Sequence, residues 1–273
     1  MRSLFLLLSF FIFPLFSEII EIKYISEMEK YLEDKPLIVF DIDNTIMCPV
    51  QTVGSDQWFN HRIKKHEKEG YTSHGALEKA ISEWMAVQCI TDMKLVEKHT
   101  SALIKDLQDK GHTIIALTTR DHGFSLRTLQ QLKSLDVHLE RTCPSKEEIY
   151  FKNDQHCIYR QGILFTAGSH KGTALKKLLA ELRLQPKKIL FINDKHNHLT
   201  PVEEICKKEK IAFIGLRYGF LDERVNAFSP ELADLQFEKF KTLLSDEQAE
   251  KEMTQKSEEK KDKEITQVDK KHS

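Results

Sequence analysis

Leu37-Ile38-Val39-Phe40-Asp41-Ile42-Asp43-Asn44-Thr45-Ile46 decides how the chain is read. Leu37 to Phe40 is an apolar, partly β-branched run with the length of a buried strand. It ends abruptly in two acids one residue apart, then an Asn and a Thr. A buried strand that runs into carboxylates puts charge at the carboxyl edge of a sheet, where open α/β folds bind ligands. Two like charges so close repel and lose hydration, so the arrangement is costly unless a cation or a reaction requires it. An isolated Asp-x-Asp is more often a polar turn after a strand, and the rest of the chain has to decide.

The same pattern recurs. Thr113 to Leu117 is a second buried run, ending in Thr118-Thr119-Arg120, and Lys188 to Ile192 is another, ending in Asn193-Asp194. Ile211 to Gly215 reads as a fifth strand and Val137 to Leu139 as a weaker one. His156 to Tyr159 and Ile163 to Thr166 flank a turn at Gln161-Gly162 and read as a hairpin. Helical spacing connects these runs, including a helix opened by Lys171-Gly172. Strands that alternate with helices and are apolar throughout predict an α/β fold around a parallel, Rossmann-like sheet. Such a sheet brings Asp41, Asp43, Thr118 and Asp194 to one edge, with Lys171 at a helix start beside them.

Residues 51–95 interrupt the alternation. Pro49 and Gly54 break the chain, and Leu77, Ile81, Trp84 and Met85 then form one stripe of an amphipathic helix. The stretch reads as a small, mainly helical cap inserted after the first motif strand. Trp58, Phe59, His61 and Arg62 could pack within it or read a substrate from it. The core is expected to cover residues 18–50 and 96–245.

At the start, Met1-Arg2-Ser3 precedes a nearly unbroken apolar run from Leu4 to Phe16, too short for a comfortable bilayer span. It reads as a secretory signal, residues 1–17, cleaved after Ser17. An exported chain, periplasmic or secreted and without a stable membrane anchor, is expected. Residues 246–273 are rich in Lys, Glu and Gln, and such a tail cannot bury enough surface to offset its ordering entropy. It is read as disordered, with room for a protein partner. The 41 basic and 42 acidic residues balance, giving no electrostatic reason to expect nucleic acid. Five widely spaced cysteines contain no C-x-x-C pair, so no zinc site is indicated. Cys143 with Cys157 is the most plausible disulfide.

Taken in order, the Asp-x-Asp-x-Thr of Asp41 to Thr45, the strand-end Thr118, Lys171 and Asp194 resemble the four motifs of the haloacid dehalogenase superfamily, in its phosphatase branch. The likeness spans roughly Pro36 to Gly215, and more loosely resembles a group of exported bacterial members. It implies a phosphomonoester hydrolase acting on a small phosphorylated substrate. Asp41 would be nucleophile and Asp43 general acid and base. Thr118 and Lys171 would hold the phosphoryl group, and Asp194 would bind Mg²⁺ with Asp41 and Asp43. Many relatives carry two acids where Asn193-Asp194 stands here, making Asn193 and Asn197 supporting candidates and leaving His198 as the residue four beyond Asp194. Arg120 and His122 could face the site or an exposed loop. An exported protein that keeps the fold but only binds a phosphorylated ligand or a partner is the competing expectation.

Overall fold

The computed structural model describes residues 17–239 and 245–255. An eight-stranded sheet runs through the molecule in the order β1-β10-β9-β2-β5-β8-β7-β6. Here β1 is Ser17–Ile22, β2 Leu37–Phe40, β5 Ile114–Thr118, β6 Ile149–Lys152, β7 His156–Arg160, β8 Ile163–Phe165, β9 Lys188–Asn193 and β10 Ala212–Tyr218. All pairings from β1 to β8 are parallel, and only β7 pairs antiparallel with its neighbours. β2 lies in the middle, with Val39 opposite Ile115 of β5 and Phe191 of β9. The chain continues to β5 on one side and later to β9 on the other. The order therefore reverses at β2, the kind of place where an open sheet leaves a crevice at its carboxyl edge.

Strand periodicity explains why these runs lack polar residues. Ile38 and Phe40 point to one face, with Ile114, Ala116, Leu190 and Ile192, under helices α3 (Thr100–Asp109) and α4 (Ser125–Ser134). Leu37 and Val39 point to the other, with Ile115, Leu117, Ile189 and Phe191, under α5 (Lys171–Glu181) and α6 (His196–Glu209). Both faces are covered, so both parities of each strand must be apolar.

Between β2 and α3 the chain forms a two-stranded antiparallel ribbon, β3 (Met47–Pro49) and β4 (Met93–Leu95). The ribbon leads into and out of a helical hairpin, α1 (Asp56–Lys68) and α2 (Ser73–Ile90). Ser55 and Thr72 cap the two helices by accepting from backbone N–H groups within their first turns. Arg62 on α1 grips Glu83 on α2 at 2.6 and 2.7 Å, and His66 meets the same carboxylate at 3.1 Å. The hairpin is tied down elsewhere too. Gln236 of α7 (Pro230–Glu238) accepts from Val53 N–H, and Arg127 of α4 donates to the Gln88 and Thr91 carbonyls.

Several sequence expectations fail here. Val137 to Leu139 is not a strand: Leu139–Arg141 is a 3₁₀ turn, and Val137 and Leu139 bury their side chains without pairing. Cys143 and Cys157 carry free thiols, each directed at backbone carbonyls, so the expected disulfide is absent. Residues 246–255, expected to lack order, are helical; Ala249 is buried against Leu232 and Leu235, and Gln236 donates to Asp246. Met253, one turn on, packs against the same cluster, so a short apolar strip docks a helix whose other faces are charged. The expected signal falls on residues 1–17, of which 1–16 lie outside the described residues, as do 240–244 and 256–273 of the chain's end. Among the described residues, no helix is long and apolar enough to cross a membrane.

Candidate active site

Asp41 follows β2 directly, and its N–H donates to the Ile192 carbonyl of β9 at 2.9 Å, which continues the ladder one residue past the strand. The chain then turns sharply. Asn44 takes a left-handed conformation, φ 59°, which Asn tolerates better than most residues. Its N–H donates to the Met47 carbonyl, and the Ile46 and Met47 N–H groups donate to the Ile42 carbonyl. This tight loop separates the two acids and gives each its own cation.

Asp41 is buried, and Lys171 Nζ donates to its Oδ1 at 2.8 Å. Lys171 is itself 3% exposed, an unusual position for a lysine and one that requires a paired anion. It reaches the site because α5 begins there; Gly172 lets that end of the helix approach α6. A Cβ at Gly172 would lie 2.0 Å from the Pro201 carbonyl oxygen.

Asp43 faces the other way. Arg120 Nε donates to Asp43 Oδ2 at 2.8 Å and Arg120 Nη2 to Oδ1 at 2.7 Å, a bidentate pair. The third nitrogen, Nη1, donates to Thr128 at 3.0 Å and Gln131 at 2.8 Å. The guanidinium also stands 5.1 Å from the centre of the Trp84 ring on α2. Arg120 is thus a buried, fully engaged group. Its backbone N–H donates to Thr118 Oγ1 at 3.2 Å, which holds the Thr118 hydroxyl at the end of β5.

Asp194 follows β9. Asn44 Nδ2 donates to its carboxylate at 3.3 Å, and its own N–H donates to Thr45 Oγ1 at 3.2 Å. The loop after Asp41 therefore fixes Asp194 as well. Asn193 Oδ1 accepts from Lys195 N–H, while the buried Asn193 Nδ2 has no partner in the protein. Asn197 is exposed.

The electrostatics follow from burial. Desolvation pushes the Asp41 carboxyl above its ordinary range; Lys171 pulls it back and the Asp43 charge adds to the rise. Asp194 is pushed up to about 7, first by burial and then by the Asp41 charge. His198 is driven down to about 3 by burial and by Lys171 and Lys195, and its buried Nδ1 lacks a partner. It is a neutral imidazole at ordinary pH.

The structure thus brings Asp41, Asp43, Thr118, Lys171 and Asp194 to one sheet edge. Of the cap residues, Phe59 faces a cavity beside Asp43. Trp58 packs on Phe237 at 5.1 Å, His61 pairs with Asp234, and Arg62 with Glu83. The His122 side chain is largely exposed. Sequence reasoning missed the Asp56–Lys195 pair, 2.7 Å, which ties α1 to the residue after Asp194. Burial opposes the Lys195 charge, but Asp56 holds its ammonium above the ordinary lysine range. Nothing in the spacing of residues 139 positions apart could have signalled it.

The profile of a family described as "Protein of unknown function (DUF2608)" matches residues 19–250. The chain belongs to that family. Its relatives include two proteins of Chlamydia pneumoniae named "Putative outer membrane protein", each 27% identical. They cover 78% and 88% of this chain and 80% and 92% of their own lengths. A protein of the same name from Chlamydia trachomatis is 25% identical over 86% of this chain and 89% of its own length. Among solved structures, a haloacid dehalogenase-like family hydrolase from Streptococcus pneumoniae aligns at TM-score 0.41 and 13% identity. That alignment covers 66% of this chain and 93% of that one.

Proposed function

We propose that this DUF2608 member is a Mg²⁺-dependent phosphomonoester hydrolase that works through an aspartyl-phosphate on Asp41. The observation that carries the reading is the division of labour between two carboxylates two residues apart. One is buried on a lysine, and the other is held by an arginine on the side of an apolar cavity. A polar turn would leave both in water.

In this reading an Asp41 oxygen attacks phosphorus, and the bond from phosphorus to the leaving oxygen breaks. Asp43, entering the step protonated, gives its proton to that oxygen. Water then attacks the acylphosphate phosphorus, Asp43 takes the water's proton, and Asp41 leaves with inorganic phosphate released. Lys171 and the Thr118 hydroxyl compensate the phosphoryl charge and hold the group in line.

The donor set suits a hard divalent cation. Asp41 is buried and Asp194 partly so, and the Asp41 charge raises the cost of ionising Asp194, a conflict that a cation between them would relieve. Among the described residues no third His, Cys, Asp or Glu joins them. The Asp43 carboxylate is occupied by Arg120, so its contribution would come through its backbone carbonyl. When bound, Mg²⁺ would neutralise charge on the phosphoryl oxygens.

Export to the envelope or beyond is proposed on the apolar N-terminal run together with the names of the chlamydial relatives. The competing reading, a phosphoryl-binding protein without turnover, draws on the same Arg120 grip, since Asp43 must leave a bidentate partner to carry a proton. Purified protein assayed on p-nitrophenyl phosphate decides between them. Turnover that needs Mg²⁺ and disappears in Asp41→Asn supports the hydrolase; no Mg²⁺-dependent turnover over a broad panel of phosphomonoesters refutes it.

A further inference from the structure

Of the stripe Leu77, Ile81, Trp84 and Met85 on α2, Trp84 packs partly against the small cluster of Val53, Trp58 and Val87, while the other three stay outside the buried core. Leu77 and Ile81 stay 38% exposed, while the buried side of the same helix is made by Ala76, Ala80 and Val87. Together with Phe59 and Phe124, the stripe lines a cavity of about 280 Å³ between the helical hairpin and the end of β5. Trp84 and Phe124 meet ring to ring at 5.6 Å, and with Leu77, Ile81, Met85 and Phe59 they present an apolar binding surface to this space.

The cavity opens on Asp43, not on Asp41 or Asp194. This is the side on which a leaving group must lie if Asp43 protonates it. The charges in its lining are those of Asp43, Asp56, Asp121 and Arg120. Arg120 is consumed by Asp43, Thr128 and Gln131, so no cation in the lining is free to receive a second anionic group. That argues against nucleotides, bisphosphates and sugar acids. Some hydroxyls of a sugar could meet Thr119, Asp56 or Asp121, but those turned to Leu77, Ile81 and Met85 would lack partners, at a cost for each. An engineered apolar cavity of about 150 Å³ takes benzene, so this larger one has room for a two-ring aromatic group.

We propose that this cavity binds the leaving group of the substrate, and that the substrate is a phosphomonoester of an uncharged, aromatic alcohol. The inference rests on the hydrolase reading above, and the test separates the two. The full chain with Mg²⁺ is assayed on 2-naphthylmethyl phosphate, glucose 6-phosphate and phosphocholine, whose leaving groups are all alkoxides. Acetyl phosphate serves as a substrate with almost no leaving group to place. Binding of 2-naphthylmethylphosphonate, which cannot be hydrolysed, is measured by calorimetry against inorganic phosphate.

The expected result is kcat/KM at least about tenfold higher for the naphthylmethyl ester than for either other alkyl ester, as apolar pockets commonly discriminate. Leu77→Ser/Ile81→Ser, at positions 38% exposed, should cut that preference severalfold and weaken the phosphonate by a similar factor. Turnover of acetyl phosphate with glucose 6-phosphate or phosphocholine equal to or better than the naphthylmethyl ester would overturn the inference and leave the hydrolase reading standing. If no ester is turned over but the phosphonate binds and the double variant weakens it, the hydrolase reading falls and the cavity assignment stands. Phosphonate binding no tighter than that of inorganic phosphate, without turnover, overturns both.

Discussion

Arg120 holds both carboxylate oxygens of Asp43, at 2.7 and 2.8 Å, while Trp84 of the helical hairpin covers the guanidinium. Gln131, which receives Arg120 Nη1, also donates to Gln88 on α2 at 2.9 Å. The proposed acid is therefore positioned by a network that reaches from β5 into the hairpin. Its geometry needs the planar fork of arginine.

A lysine at this position keeps the charge but cannot bond both oxygens or stack on Trp84. Arg120→Lys is expected to lower kcat by about tenfold or more with KM little changed, the signature of a misplaced acid–base group. Steady-state kinetics beside a thermal melt check this. A variant with wild-type kcat would show that Arg120 only supports the fold.

The Lys171–Asp41 pair is buried on both sides, so removing one partner strands the other. Lys171→Met should destabilise the protein by about 3–5 kcal/mol in urea unfolding. Asp41→Asn combined with Lys171→Met should lose much less than the sum of the single changes, a coupling of about 1–3 kcal/mol. Strictly additive losses would mean that the ion pair does not form.

Asp194 makes stability depend on pH in an unusual direction. Its carboxyl, ordinarily near 3.8, is raised to about 7 in the folded, metal-free protein. Between those values the native state binds more protons than the unfolded chain, so this group's contribution falls as pH rises through the window. Metal-free Asp194→Asn is therefore expected to be more stable than wild type at pH 8, by on the order of 1–2 kcal/mol after solvent screening. The difference should vanish near pH 4. His198 titrates in both proteins, so its opposite dependence cancels in the comparison. Mg²⁺ at pH 8 should raise the melting temperature of wild type but not of the variant. Melts at both pH values decide, and an Asn variant less stable than wild type at pH 8 contradicts the account.

Gly172 sits where α5 crosses α6 almost in backbone contact. Its Cβ position lies 2.0 Å from Pro201 O and 2.9 Å from Ile205 Cγ1. Gly172→Ala should cost about 1–3 kcal/mol and displace Lys171, despite alanine's better helix propensity. Denaturant titration of the single variant tests this; a stabilised protein would mean that the two helices are not so close.

How much of this was legible depended on whether the cause was local. The strand runs declare themselves because both sheet faces are covered, and the strand ends because polar residues interrupt those runs abruptly. Lys171-Gly172 is also readable, since a lysine against the helix dipole and a glycine inside a helix each need a reason. Long-range pairings were not readable. Arg120 could as well have pointed into solvent until Thr128, Gln131 and Trp84 were placed around it. The stripe on α2 was correctly periodic, but periodicity cannot distinguish a stripe that packs from one that lines a cavity. Val137 and Leu139 have the apolar side chains of a strand but bury them in and before a 3₁₀ turn, and the helix at 246–255 docks through the short apolar strip of Ala249 and Met253.

Asp41 is expected to carry the phosphoryl group during turnover. Acid-quenched protein, mixed with Mg²⁺ and an excess of the best phosphomonoester, should yield an Asp41-containing peptide bearing one hydroxylamine-sensitive phosphoryl group by mass spectrometry. The same peptide from Asp41→Asn should be unmodified. Turnover of the ester with no phosphoryl group on Asp41 under rapid quench, or a phosphoryl group retained in Asp41→Asn, would contradict the assignment of the nucleophile.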